Sequence, residues 1–315
     1  MNINSIICIN KFLQKLSRLF DKIDLKSLSR IVSLPRHKFC INYIKSKIPN
    51  TLNENYYQDN TSTIAKKDFC VFIFWYQGVD KMPIIIKKCY ESILANFPSK
   101  KVILLTKYNL HEYITIPQII KDKLDNKKMT ITSFSDFLRV SLLYEYGGIW
   151  IDTTVFLSNK LNDSILSLSF ITLPHSNNAN EFKYLYQGTK GWSAYFLGSN
   201  IKHHPLFLFI KKSYLEYFSN TDKIIDYFFI DYLISIFLSI KFDFKYEIDK
   251  IDLNGNDSYL LADKMNEIST KKSFNSYETL LTTCSIHKLT YKRNWKEKIR
   301  NKNTIFSEFL KQKLI

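Results

Sequence analysis

The stretch from Phe134 to Phe156, FSDFLRVSLLYEYGGIWIDTTVF, constrains the fold more than any other part of the chain. Its first half has helical periodicity, and a helix is expected over Ser133 to Tyr146. Ser133 or Ser135 can cap that helix, with Asp136 near its positive end. Gly147 and Gly148 end it, as C-terminal glycines do, and let the chain turn sharply. The next residues, IWIDTTVFL, read as a strand. Asp136 and Arg139 are three apart on one helix and therefore share a face. Asp152 falls near the carboxyl end of the strand, the region beyond which open α/β sheets bind their ligands. A carboxylate there, beside a helix bearing Asp and Arg, suits a site that holds a cation, sugar hydroxyls and phosphate together.

The upstream pattern supplies the rest of such a sheet. FCVFIFW, Phe69 to Trp75, is a short β-branched and aromatic run that reads as a buried first strand. Pro83 sits where a helix begins, IIIKKCYESILANF has helical periodicity, and KVILL, Lys101 to Leu105, reads as a second strand. Strand, helix, strand implies a parallel α/β core. Residues 1 to about 50 alternate apolar and basic residues. Ile9, Phe12, Leu13, Leu16, Leu19 and Phe20 recur at helical spacing, with Lys11, Lys15, Arg18, Lys22 and Lys26 between them. Such a helix either lies in a membrane interface or packs on the body with its charged face in water. Residues 51–67 are polar and read as a linker, a helix-rich segment runs from Pro205 to Ser239, and the tail from His287 is basic and partly helical. The expected organisation is a basic amphipathic extension and linker over 1–67, an α/β domain over 68–292, and a basic tail over 293–315.

Charge and cysteine usage narrow the function. The formal net charge is +16, which implies an anionic partner: nucleic acid, a phosphorylated small molecule or an anionic membrane. No RNA- or DNA-binding motif is present, so nucleic acid is not expected. The cysteines Cys8, Cys40, Cys70, Cys89 and Cys284 are odd in number and form no C-x-x-C, which disfavours a disulfide framework or a zinc knuckle. The richest apolar run starts at Tyr227, but Asp231 interrupts it and it is too short to span a bilayer. With no convincing signal peptide either, the expected location is the cytoplasm.

The pieces FWYQG, SDFLRVSLLYEYGG, IWIDTTVF, GWSAYFLGS, DYFFIDY and HKLTYK, in that order between Phe69 and Lys292, resemble the sugar transferases with a DXD motif. More closely, they resemble the capsular polysaccharide synthesis family. The resemblance implies a Rossmann-like α/β fold of the GT-A type, with a mixed central sheet and added helices. It also implies a nucleotide-sugar donor, commonly a UDP-sugar, a divalent cation (Mn²⁺ or Mg²⁺), and retention of anomeric configuration.

Roles carry over by position. Trp75 matches the ring that stacks on the donor's base; the competing reading is a core tryptophan. Asp136 matches the aspartate that bonds donor hydroxyls, or else only offsets the helix dipole. Arg139 matches the arginine on sugar or phosphate, or else forms a structural ion pair with Asp136 or Asp152. Asp152 matches the first aspartate of the DXD motif and would be a metal ligand. His287 matches a late position that returns to the metal or diphosphate, or is an ordinary surface histidine. Lys288 and Lys292 would neutralise the diphosphate, or are solvated lysines. Gly191, Trp192 and Ser193 resemble the acceptor-side loop. Asp226 and Asp231, both expected on one helix, would bond acceptor or donor hydroxyls, or else be satisfied structural carboxylates.

The chain departs from the DXD pattern at its third position, which is Thr154 rather than Asp. A neutral hydroxyl is a poorer ligand for Mg²⁺ or Mn²⁺ than a carboxylate. The expected activity is transfer of a sugar to a growing surface polysaccharide or a lipid-linked oligosaccharide. The protein would be peripheral on the anionic inner face of the bacterial cytoplasmic membrane. The alternatives are a metal-independent transferase and a non-catalytic scaffold of a polysaccharide assembly complex.

Overall fold

The computed structural model describes residues 3–55, 61–175, 191–241, 247–248, 250–253, 255 and 257–312. The chain opens with α1 (Ile3–Lys22), α2 (Lys26–Lys47) and α3 (Pro49–Asn53). β1 (Ser62–Thr63), β2 (Cys70–Phe74), α4 (Ile84–Asn96) and β3 (Lys101–Leu105) follow. Then come α5 (Leu110–Tyr113), α6 (Gln118–Asp125), α7 (Ile131–Tyr146), β4 (Gly148–Ile151) and β5 (Val155–Leu157). β6 (Ile171–Thr172), β7 (Phe196–Ser199), β8 (Ile201–Lys202), α8 (Pro205–Asn220) and α9 (Phe229–Ile240) continue the chain. α10 (Leu260–Lys264), α11 (Lys271–Thr283), β9 (Ile286–Lys288), β10 (Lys298–Ile299), β11 (Lys302–Asn303) and α12 (Ile305–Lys311) complete it.

The central sheet has the order β3-β2-β4-β7-β6. β2 is parallel to both β3 and β4, while β7 runs antiparallel to β4 and β6, so the sheet is mixed. From β2 the chain crosses to β3 on one side and then to β4 on the other. That reversal opens a crevice at the carboxyl ends of β2 and β4, where ligands of α/β sheets sit. Alternation along the strands divides the core. Phe72, Phe74, Trp150 and Leu197 pack on the side of α7, α8 and α9. Val71, Ile73, Ile149, Ile151 and Phe196 pack on the side of α4. Burial of both faces explains why β2 reads as an unbroken apolar run.

Three local expectations need correction. Helix α7 begins at Ile131, and its cap is Thr130, whose Oγ1 accepts from the Ser133 amide at 3.1 Å, not Ser133 or Ser135. The expected strand IWIDTTVFL is two strands. The Val155 amide donates to the Asp152 carbonyl at 2.9 Å, closing a turn that takes residues 152–154 out of the sheet. β5 then pairs with β9 instead.

The third correction concerns the ends of the chain. α2 is built into the body rather than being part of an appended extension. Arg36 Nη2 meets Asp226 Oδ2 at 2.5 Å, both buried, His37 Nδ1 shares a hydrogen bond with the Tyr232 hydroxyl at 2.8 Å, and Cys40, Ile44 and Ile48 are wholly buried in the main core. The expected basic tail is likewise docked, because Ile305, Phe306 and Phe309 of α12 fill a third cluster with Ile85, Ile86 and Phe156.

The turn from α7 into β4 depends on its glycines. Gly147 and Gly148 have φ of 63° and 84°, and a Cβ on Gly148 would lie 2.3 Å from the Cys70 carbonyl oxygen. That backbone oxygen belongs to the neighbouring strand and cannot yield cheaply. Gly148→Ala is therefore expected to destabilise the protein by at least about 3 kcal/mol. Chemical denaturation measures this, and a loss under about 1 kcal/mol would contradict the packing described.

Candidate active site

Two residues leave the sheet side by side at the crevice. Phe72 of β2 is paired with Trp150 of β4, so Trp75 and Asp152 emerge together just beyond the strand ends. They line a cleft of about 560 Å³ with Tyr76, Gln77, Arg139, Thr154, Tyr291 and Lys292. A second hollow of about 210 Å³, lined by Asp136, His175, Trp192, Tyr195 and Asp231, shares Arg139, Asp152, Tyr259 and Lys288 with the first. The site thus has a larger lobe floored by aromatic and basic groups and a smaller, acidic one. A chain of alternating charges lies between them.

Arg139 is the centre of that chain. Its Nη1 reaches Asp136 Oδ1 at 3.0 Å and its Nη2 reaches Asp152 Oδ1 at 2.9 Å. The guanidinium carbon lies 5.2 Å from the Trp150 ring centroid. Arg139 is nearly buried and both terminal nitrogens are engaged, so the structure gives it the work of positioning two carboxylates. Asp152 Oδ1 also accepts from Trp150 Nε1 at 2.9 Å, and Oδ2 accepts from Lys288 Nζ at 2.8 Å. Lys288 Nζ donates as well to Thr154 Oγ1 and sits 4.7 Å from the Tyr195 ring centroid.

These environments separate the carboxyl groups. Burial raises the pKa of Asp152, but Lys288 and Arg139 outweigh it and hold the group below the usual carboxylate range. Asp136 is pushed upward by burial, against the pull of Arg139. Asp231 is lifted to about 6 by burial, against the hydrogen bond from Trp192 Nε1 at 2.9 Å. The acidic lobe therefore holds two carboxyls with raised pKa beside one that is firmly ionised, a separation typical of functional sites.

Trp75, Asp136, Arg139, Asp152, Asp231, Lys288 and Lys292 come together around the two lobes, Lys292 at the exposed rim. Trp75 is half-buried, stands edge-on to Tyr291 at 5.4 Å, and has an Nε1 without a partner among the described residues. His287 does not join them. It precedes Lys288 on β9, and successive strand residues face opposite sides. His287 is wholly buried, pairs through Nε2 with Ser158 Oγ at 3.1 Å, and is pushed down to about 4 by burial. Asp226 lies ahead of α9 rather than on it, where it accepts from the Phe228 amide at 3.0 Å and binds Arg36. Trp192 and Ser193 are buried. Trp192 is used to hold Asp231, and Ser193 bonds the Leu173 carbonyl at 2.7 Å. Tyr227, Tyr259 and Tyr291 also line the cleft; Tyr227 falls inside DYFFIDY and Tyr291 inside HKLTYK, while Tyr259 carried no signal in the sequence.

A divalent cation does not fit the Asp152–Thr154 turn as it stands. Both oxygens of Asp152 are taken by cationic or N–H donors, Thr154 is neutral and bonded to Lys288, and His287 faces away. Among the described residues no group of three or more His, Cys, Asp or Glu side chains is arranged to hold a metal.

An α/β protein with a ligand crevice at the switch point of a mixed sheet, lined by aromatic, acidic and basic groups, is the class that fold and site define. The family model for capsular polysaccharide synthesis proteins matches residues 21–309, and the chain belongs to that family. Membership ties it to capsule biosynthesis. No curated protein and no solved structure matches the chain at a significant level.

Asp231 gives a test with a defined sign. A carboxyl whose folded pKa is about 6, against an ordinary 3.8, costs stability wherever it is ionised. Asp231→Asn keeps an acceptor for Trp192 and removes that cost. The variant is expected to be more stable by up to about 2 kcal/mol at pH 8. The gain should shrink as pH falls from 6 toward 4 and vanish below. Urea unfolding across that range measures it. A gain that grew toward low pH would reverse the assignment.

Proposed function

We propose that this protein is a glycosyltransferase that moves a sugar from a nucleotide-sugar donor, with a UDP-sugar the first choice, onto a growing capsular glycan or its lipid-linked precursor. The observation that carries the reading is the two-lobed cleft, in which Trp75, Asp152 and Lys288 meet at the carboxyl ends of β2 and β4. The site chemistry matches a donor's three parts. Trp75 and Tyr291 offer ring surface to a base. Lys288 and Lys292 offer positive charge to a diphosphate. Asp136 and Asp231 offer acceptors to sugar hydroxyls. The mixed sheet agrees with a GT-A type fold, and the family resemblance, not the sheet, implies a retaining outcome: the acceptor hydroxyl attacks on the face the leaving group vacates. The leaving phosphate takes the acceptor's proton.

The test is a panel of UDP-, GDP- and CDP-sugars, read by release of free nucleotide, with Asp152→Ala beside the wild type. One donor should be slowly hydrolysed, with a loss of about 10²-fold in the variant. Release that is indifferent to the substitution would refute the assignment of the site, and a product of inverted configuration would refute retention.

The acceptor reading rests on α1 and α2. They pack antiparallel through small and polar residues: Ser17 Oγ meets Ser29 Oγ at 2.8 Å, and Asn10 Nδ2 donates to Cys40 Sγ at 3.2 Å. Several of their other apolar residues point outward. Phe12 is 64% exposed, Leu19 53% and Ile31 66%, and Lys11, Lys15, Arg18 and Lys22 share the exposed surface of α1. An outward apolar face edged by lysines suits the interface of an anionic bilayer. No described helix is long and apolar enough to cross one. A further hollow of about 500 Å³ is lined by Lys11 of α1 and by Lys127, Lys128 and Lys223, and it reaches Thr132 and Asp136 of the site. It would lead a phosphate-bearing lipid-linked acceptor from the membrane to the cleft. The reading we propose is a peripheral protein on the cytoplasmic face of the membrane.

Deleting the N-terminal segment would remove Arg36, Cys40 and Ile44 from the core, so the test uses exposed positions. Phe12→Glu with Leu19→Glu should lower partitioning onto vesicles containing phosphatidylglycerol at least about tenfold, with the melting temperature retained. Unchanged partitioning would remove the membrane from the reading.

A further inference from the structure

We infer that the ammonium group of Lys288 occupies the place of a divalent cation in this site, and that donor binding and turnover need no metal. The inference rests on the transferase reading and deepens it. Four observations lead to it. The motif's third residue is Thr154, so the turn carries one carboxylate where a metal site of this kind would have two. Lys288 Nζ bridges the two motif positions, Asp152 Oδ2 at 2.8 Å and Thr154 Oγ1. The remaining Asp152 oxygen is committed to Arg139 and Trp150. The register of β9 against β5 pairs Lys288 with Val155 and places His287 on the other face, so the expected second ligand cannot return to the turn without breaking that ladder.

The charges argue the same way. Arg139 and Lys288 already bracket Asp152, and Asp136 is the other partner of Arg139. A dication entering between Lys288 and Arg139 would meet two positive groups and would have to displace one of them. An ammonium has three N–H donors, and two are taken by Asp152 and Thr154. Among the described residues the third has no hydrogen-bond partner, and it can meet an oxygen in the cleft. Asp152 would then be a positioning residue that holds Lys288 in place.

The transfer balances with no further reactant. The bond from the sugar's anomeric carbon to the β-phosphate oxygen breaks, and its electron pair stays on that oxygen. The acceptor hydroxyl oxygen bonds to the anomeric carbon and its proton passes to the departing phosphate. Lys288 and, from the rim, Lys292 stabilise the charge that develops on the diphosphate.

The experiment is calorimetric titration of the full chain with UDP, GDP and CDP, once in EDTA and once in Mn²⁺, for the wild type, Lys288→Met and Lys288→Arg. The wild type should bind one nucleoside diphosphate with the same affinity, within about twofold, in both buffers. Lys288→Met should lose at least about tenfold in both, the cost of one charge-assisted hydrogen bond, while Lys288→Arg keeps most of the affinity. Circular dichroism melting of each variant separates loss of the fold from loss of the charge, and the wild-type arms stand without either variant. Binding by the wild type that requires Mn²⁺, or a folded Lys288→Met with full affinity, overturns the inference and leaves the transferase reading standing. Failure of all three nucleoside diphosphates to bind in either buffer overturns the transferase reading itself and the inference with it.

Discussion

A buried guanidinium holds this site together. Arg139 is taken almost wholly out of water, which is tolerable only because Asp136 and Asp152 accept from its two terminal nitrogens. Lys288 extends the series on the far side of Asp152. In such surroundings a lone charge is costly, but an alternating chain of charges is largely self-compensating. Each member is then fixed by its neighbours rather than by its own rotamer preferences. Removing any one leaves an uncompensated charge beside the sheet, so the network couples the geometry of the cleft to the stability of the fold.

The backbone is shaped to bring those charges together. Asp136 and Arg139 are delivered by the second and third turns of α7, Asp152 by the turn that ends β4, and Lys288 by the last residue of β9. The glycine pair lets α7 double back tightly against β4, so helix and strand ends meet at one edge. The turn at residues 152–154 breaks what would otherwise be one long strand. Its second half pairs with β9 and so carries Lys288 to Asp152.

Much of this could be read from local patterns, and the failures share a cause. Asp152 was legible because a strand end is a local event and α/β topology says which end matters, whereas Trp75 was picked out by the resemblance. Asp136 and Arg139 were legible from a three-residue helical spacing. His287 was misplaced because β9 has three residues, and nothing local says which of two adjacent side chains faces the cleft. The distinction between Asp226 and Asp231 was hidden in the same way. It depends on α9 starting at Phe229 and on Arg36, 190 positions earlier, arriving to claim Asp226. The N-terminal segment and the tail looked detachable because their charges dominate their composition. Their few wholly buried residues, Cys40 and Ile44 in one and Ile305 and Phe309 in the other, are what tie them down.

That integration bears on how the site would meet its acceptor. A flexible basic arm can bind a membrane in any orientation, whereas α2 is fixed to α9 by His37–Tyr232 and to the segment just ahead of α9 by Arg36–Asp226. Asp231 lies on α9 one residue before Tyr232, so the helix that anchors the outward apolar hairpin also floors the acidic lobe. Contact of α1 and α2 with a bilayer would therefore set the height and angle of the cleft above it. Because that geometry is carried by buried pairs, a substitution at Arg36 would disturb the cleft and the outward apolar face together. A substitution at Phe12 would disturb only the face.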